Sequence, residues 1–354
     1  MPAPHPAVYA VTEKGARLGR RLAARLGADL FVPERLAGLT TRAGTAGLGP
    51  VTAFASLGGL VAETFAARPA HVFVCACGIA VRAIAPHIRD KASDPAVVCV
   101  DDAGRFAVSL LAGHLGGANA LAREVAAVIG AVPVVTTATD AAGAPAIELL
   151  ARDLRLPMDN PVAARRVNGA LAANEPVAVF DPLGVFTPAD PDATRFFEWV
   201  ASPAPARPGQ PLVVVDWRLG PLAPDRLYLR PRVLVAGVGC RRGTPAEDIL
   251  SLLAHVCREK GLAVASVGLV ASIEAKRDEP GIREAAASLG AELRFFTAGE
   301  LAGVTAPNPS ERVAKHMGVG SVCEAAAMLA SGSGKLLIQK ARTGFSTVAV
   351  ALAG

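Results

Sequence analysis

Apolar and polar positions alternate in blocks along the first 150 residues, and each block has the length of one secondary-structure element. AVYAV (7–11) is an apolar run of strand length, while KGARLGRRLAARLG (14–27) repeats its apolar residues at helical spacing. ADLFV (28–32) predicts the next strand, SLGGLVAETFAARP (56–69) a helix and AHVFVCA (70–76) a buried strand. A helix then starts at Gly78 and is ended or kinked by Pro86. AVVCVDDAGRFAVSLL (96–111) is two apolar runs around an Asp-Ala-Gly turn, the pattern of a hairpin. In LLAGHLGGANALAREVAAVIG, Leu115, Ala118, Ala122, Val125 and Ile129 share one helical stripe, with Arg123 and Glu124 off it. VPVVTTATD (132–140) predicts a strand with a polar end.

Beyond this block the pattern weakens. Helices are expected over 144–156 and 160–174, and strands over 175–180, 195–200 and 211–217, with a Pro-rich connector at 202–211. A boundary is expected near RLYLRPR (226–232). VLVAGVGC then opens a new strand–turn–helix unit, followed by strands near 263–269, 292–296, 335–340 and 346–352. Strands alternating with helices predict an α/β, multi-domain chain. Two α/β sandwich-like domains, 1–141 and 229–354, are joined by a smaller α/β middle region, 142–228.

Composition narrows the function classes. The 354 residues are 52% hydrophobic and 19% charged, enough for well-formed cores. No apolar run reaches the roughly 20 residues of a membrane span, and the first residues lack the pattern of a secretory leader. The six cysteines show no C-x-x-C spacing, which suits reduced thiols and a cytoplasmic location. A net charge of +5 suits an anionic partner. Only 5% of residues are aromatic and none interleaves with a basic stripe, so no nucleic-acid partner is expected. A homodimer is left open.

Several familiar motifs fail on inspection. GVGCRR (237–242) has Arg242 where a dinucleotide fingerprint needs its third glycine. SGSGKLL (331–337) lacks the first glycine and the Ser/Thr of a phosphate loop, so a turn into a strand is expected. No H-e-x-x-H or G-x-S-x-G pattern occurs. Thr244-Pro-Ala-Glu247 has the form of a capping box. A helix N-terminus there, beside Arg241 and Arg242, would make an anion seat.

Four polar clusters remain in the first domain. Arg82 lies one turn into a helix, Lys91 and Asp94 lie in a loop before a strand, Ser109, His114 and Asn119 surround Gly116 and Gly117, and TTATD carries Thr136, Thr137 and Asp140. Ligands of open α/β sheets bind outside the C-terminal strand ends, so all four are expected to face one crevice.

The wording of these segments resembles a known family. GIAVRAIAP, RDKASDPAVVCVDDAGRFAVSLLAGHLGGANALA and GAVPVVTTATDA resemble the N-terminal domain of the CbiG family, the cobalt-precorrin-5A hydrolases of cobalamin biosynthesis. VAGVGCRRGTPAEDI, SIEAKRDEPGI, FFTAGEL and NPSERVAKHMGVGSVCEAAAML resemble the same family's final domain. Ala112 stands where the family's form carries a second serine. The resemblance implies a small-molecule tetrapyrrole substrate that carries its own cobalt, with no further cofactor and no protein-held metal. It also implies opening of a ring A acetate δ-lactone by water, with release of acetaldehyde and formation of cobalt-precorrin-5B.

Residue type and position then suggest roles. A histidine exchanges protons near neutrality, so His114 is the expected general base and Asp140 the alternative. Backbone N–H groups around Gly116 and Gly117 are expected to hold the oxyanion, and the bare glycines to admit a bulky ring. Arg82 and Lys91 would pair with substrate carboxylates, and Asp94, Ser109, Asn119, Thr136 and Thr137 would complete the pocket. Arg241, Arg242 and Lys276 would meet an anion in the last domain. The rival readings are a non-catalytic carrier of a corrinoid intermediate and a cofactor-binding α/β oxidoreductase, which the broken fingerprint opposes.

Overall fold

The computed structural model describes residues 4–40, 51–90, 93–204, 207–310 and 319–354. The chain forms two compact units, 1–149 and 150–354. The first contains β1 (Ala7–Ala10), α1 (Glu13–Leu26), β2 (Asp29–Pro33), α2 (Glu34–Thr40), β3 (Val51–Phe54), α3 (Leu57–Thr64), β4 (Ala70–Val74) and α4 (Cys77–Ile84). It continues through β5 (Ala96–Val100), β6 (Phe106–Leu111), α5 (Ala118–Ile129), β7 (Val132–Val134) and α6 (Ala138–Ala141). Helix α7 (Ile147–Asp153) leads into the second unit.

The seven strands are ordered β3-β2-β1-β4-β5-β6-β7. β3 to β5 run parallel, β6 pairs antiparallel with β5, and β7 runs parallel to β6. The sheet is covered on both faces, so its central strands are apolar throughout rather than alternating. Val8 and Ala10 of β1 pack with α1 and α5, whereas Ala7 and Tyr9 pack with α3 and α4. The hairpin expected at 96–111 is the β5–β6 pair. The apolar stripe of α5 begins at Ala118, and Leu115 instead lies exposed in the preceding turn. The strand expected over 132–140 stops at Val134, and Thr137 becomes the N-cap of α6.

His71 illustrates a buried polar group held by partners. It is inaccessible to solvent, with Nδ1 3.0 Å from the Tyr9 hydroxyl and Nε2 3.1 Å from the Phe65 carbonyl. Burial pushes its pKa down to about 4, against a smaller opposing effect of the Phe65 carbonyl. The native state therefore keeps His71 neutral while the unfolded chain takes up a proton below pH 6.5. Stability from this group is complete above that pH and declines as pH falls toward 4, by about 3 kcal/mol. Urea midpoints at pH 7 and pH 4.5 test this. His71→Phe is expected to shrink the acid loss, and an undiminished loss would refute the assignment.

The second unit holds two five-stranded sheets. β8 (Met158–Asp159), α8 (Ala164–Ala172), β9 (Val177–Phe180), β10 (Phe197–Trp199), β11 (Leu212–Val215) and β12 (Arg226–Leu229) form one, ordered β10-β9-β11-β12-β8. RLYL (226–229) forms the strand β12 of this sheet, and Arg230 beyond it is buried against Asp159. The other sheet comprises β13 (Leu234–Cys240), α9 (Ala246–Glu259), β14 (Val267–Ile273), α10 (Pro280–Leu289), β15 (Glu292–Phe296), α11 (Ala298–Ala302), α12 (Val322–Ser331), β16 (Leu336–Arg342) and β17 (Ser346–Leu352). Its order is β15-β14-β13-β17-β16. α9 and α10 cover one face, and α11 and α12 the other. β14 begins later than the expected 263–269, because Val264–Ser266 form a 3-10 turn. The capping box at Thr244 is not formed. Pro245 is the N-cap, and the Thr244 hydroxyl donates instead to the Arg241 carbonyl at 2.9 Å. Among the described residues, no helix is long and apolar enough to cross a membrane.

Candidate active site

Strand β6 delivers the first group. Ser109 lies on the sheet face that packs against α5, and its hydroxyl donates to Asn119 Oδ1 at 2.7 Å. The chain then turns sharply at Ala112, whose φ of 56° is in the left-handed region, and passes His114 before α5 begins. Asn119, in the first turn of α5, is buried. Its Nδ2 donates to Thr137 Oγ1 at 3.0 Å and to Asp140 Oδ2 at 2.9 Å. Thr137 donates to the same carboxylate oxygen at 2.6 Å, while Arg123 donates to Asp140 Oδ1. His114 Nε2 lies 3.0 Å from Thr139 Oγ1 and 3.4 Å from Asp140 Oδ2.

These contacts assign protonation states. Burial acts to raise the Asp140 pKa, but hydrogen bonds from Thr137 and Arg123, with the Arg123 charge, outweigh it and hold the carboxyl below its ordinary range. Asp140 is therefore ionised near neutrality. Nε2 faces both the Thr139 hydroxyl and the Asp140 carboxylate, and a proton on Nε2 is the tautomer that complements the carboxylate. Nδ1 is then the basic nitrogen, and it has no hydrogen-bond partner among the described residues. The side chains of His114 and Asp140 are each about one-fifth exposed, so the centre is reachable from solvent without being fully hydrated.

The two glycines differ from expectation. A Cβ on Gly116 would lie 2.4 Å from Ala112 Cβ and 3.2 Å from the Asp94 carbonyl oxygen, so the missing side chain makes room for the protein's own backbone. Gly117 is needed for its φ of 88° at the start of α5. The N–H groups of Gly117, Ala118 and Asn119 already donate to the carbonyls of His114, Ala112 and Gly113. They are not available as an oxyanion hole.

The four clusters do not share one crevice. β6 and β7 run against β4, so their C-terminal ends lie at the edge where β4 and β5 begin. The Arg82 guanidinium donates back to the Gly78 carbonyl at 3.2 Å, toward the opposite edge. Asp94 sits at the correct edge beside Gly116, but it is buried and both carboxylate oxygens accept from the Arg89 N–H. Thr136 is exposed and outside the network. Lys91 lies outside the described residues. Two members of the network were missed from sequence, Arg123 and Thr139. Arg123 was legible in principle, because it lies four residues after Asn119 on one helix face.

In the second unit, Arg241, Arg242 and Lys276 line one cavity of about 430 Å³, together with Lys340, which sequence reading did not single out. Among the described residues, no three His, Cys, Asp or Glu side chains are grouped as a metal site requires.

Fold and site together define a multi-domain α/β protein whose first unit carries a partly exposed histidine–aspartate pair within a hydrogen-bonded polar cluster. Family models match along the chain: Cobalamin synthesis G N-terminal over residues 59–140, Cobalamin biosynthesis central region over 145–231, and Cobalamin synthesis G C-terminus over 234–351. The chain belongs to the CbiG family. The cobalt-precorrin-5A hydrolase of Salmonella typhimurium is 34% identical over 362 residues, covering 98% of this chain and 97% of the relative. That of Priestia megaterium is 33% identical over 302 residues, covering 83% and 81%. A solved cobalamin biosynthesis protein G homologue from Sulfolobus solfataricus is 22% identical, covers 99% and 97%, and superimposes with a TM-score of 0.37.

Proposed function

We propose that this protein is a cobalt-precorrin-5A hydrolase, and that His114 is its general base. The observation that carries the base assignment is the free Nδ1 of a histidine whose other nitrogen faces an ionised carboxylate. In the first step, His114 Nδ1 takes a proton from water as the water oxygen bonds to the lactone carbonyl carbon. The tetrahedral intermediate collapses with cleavage of the ring carbon–oxygen bond; the alkoxide takes the proton back from His114 to become an alcohol, and the new carboxylic acid loses its remaining proton to solvent. In the second step the alcohol proton returns to His114. The carbon–oxygen bond becomes a carbonyl, the adjacent carbon–carbon bond breaks with its electron pair passing into the macrocycle, acetaldehyde departs, and the imidazolium gives its proton to the macrocycle, which restores the free base. One base thus serves both proton removals, and Asp140 stabilises the imidazolium formed each time. The cobalt belongs to the substrate.

Incubating the purified protein with cobalt-precorrin-5A tests the reading. Stoichiometric acetaldehyde and a product of the ring-opened, two-carbon-shortened mass are expected. Pigment that stays bound and unchanged would instead support a carrier.

A further inference from the structure

The cavity of the last sheet is built from five separate segments. Cys240 ends β13, Arg241 and Arg242 lie in the following turn, Lys276 follows β14, Cys323 lies on α12, Lys340 on β16 and Phe345 in the turn before β17. Four lining residues carry positive charge, and none of the lining residues described is an aspartate or glutamate. Two carboxylates lie nearby: Glu279, 3.6 Å from Lys276 and accepting from the Gly243 N–H, and the buried Glu324, which accepts from the Lys340 backbone N–H at 3.0 Å. Lys340 donates to the Asn308 carbonyl. Arg241 and Arg242 have no carboxylate partner among the described residues. Cations gathered around a concave surface repel one another, and an anionic ligand relieves that repulsion.

The rim adds a second observation. Phe345 is 57% exposed, and the Arg241 guanidinium lies over its ring at 5.6 Å. An exposed ring backed by a cation gives a flat surface for a conjugated partner. At about 430 Å³ the cavity lies toward the small end of ligand pockets, roughly 300–1,000 Å³. It suits the side arms of a large flat molecule better than the whole of one.

We propose that this cavity receives neighbouring carboxylate arms of the tetrapyrrole, paired with Arg241, Arg242 and Lys340, while Phe345 lies against the edge of the macrocycle. The assignment rests on the hydrolase reading for the identity of the ligand. It gives the last domain a binding role distinct from the chemistry at His114.

Equilibrium dialysis of the full-length protein provides the test, with two coloured probes. Cobyrinic acid has free carboxylate arms, and cobinamide has amidated ones. Wild-type protein is expected to hold cobyrinic acid at least about 10-fold more tightly. Arg241→Ala/Arg242→Ala should weaken cobyrinic acid by about 10- to 100-fold and change cobinamide by no more than about twofold. The exposed single change Arg242→Ala gives a smaller loss in the same direction, and KM for the lactone substrate rises in parallel. Unchanged cobyrinic acid binding in both variants overturns the proposal. So does equal displacement of the probe by inorganic phosphate at the probe's own concentration, which would mark a general anion site. Normal acetaldehyde release with that negative result leaves the hydrolase reading standing. Probe discrimination through these arginines without any acetaldehyde release overturns the hydrolase reading and keeps the pocket.

Discussion

His114→Ala lowers acetaldehyde release by about 10²–10⁴-fold, the range expected when a positioned general base is removed. The loss falls on kcat, because the ring's free Nδ1 is required after substrate is bound. In the proposed mechanism both proton removals use this nitrogen, so the variant is expected to accumulate neither the ring-opened alcohol nor the product. A variant arrested after lactone opening would release the alcohol intermediate, detectable by mass. Folding is not at issue, since the ring is partly exposed and its protein contacts are the Thr139 hydroxyl and the Asp140 carboxylate. Turnover within about threefold of wild type would remove His114 from the mechanism.

Asp140→Asn is the second large effect, a loss of about 10²-fold or more, equivalent to about 3 kcal/mol in the barrier. Asparagine keeps the shape but presents an N–H or a neutral oxygen to His114. The preference for a proton on Nε2 disappears, and with it the basic Nδ1. The imidazolium formed in each step also loses its counter-charge. Arg123 and Asn119 lose an ionised acceptor, so some stability is lost as well. The wild-type carboxyl is held below its usual range, so its stabilising contribution persists above the unfolded value and fades as pH falls through the native one. A melting curve therefore accompanies the rate measurement. A rate within threefold of wild type, in a protein melting normally, would assign Asp140 a purely structural role.

The order of elements in the first unit was legible because each buried strand and amphipathic helix carries its own local pattern. The convergence of Ser109, His114, Asn119, Thr137 and Asp140 was legible for a related reason, as polar residues at element ends in an otherwise apolar chain have few alternatives. The position of Arg82 was misread. The hairpin expected at 96–111 already implies that β6 reverses against β5, so its end returns to the edge opposite the start of α4, a consequence the one-crevice expectation did not follow through. Gly116 was misread because its constraint comes from Ala112 and from the Asp94 carbonyl, 22 residues earlier. Thr244 was misread because its hydroxyl turns back to the Arg241 carbonyl at 2.9 Å, with the Phe345 carbonyl, 101 residues away, a second acceptor at 3.3 Å. For Gly116 and Thr244, a backbone carbonyl distant in sequence adds a constraint that the local pattern does not carry.

Asn119 joins a strand, a helix and the turn into α6 through one amide group. No fragment that omits any of the three can assemble the centre, however well the remainder of the sheet folds. Loosening of this margin would silence the chemistry while the inner strands still held, making catalytic competence a more sensitive gauge of the domain's integrity than its bulk melting.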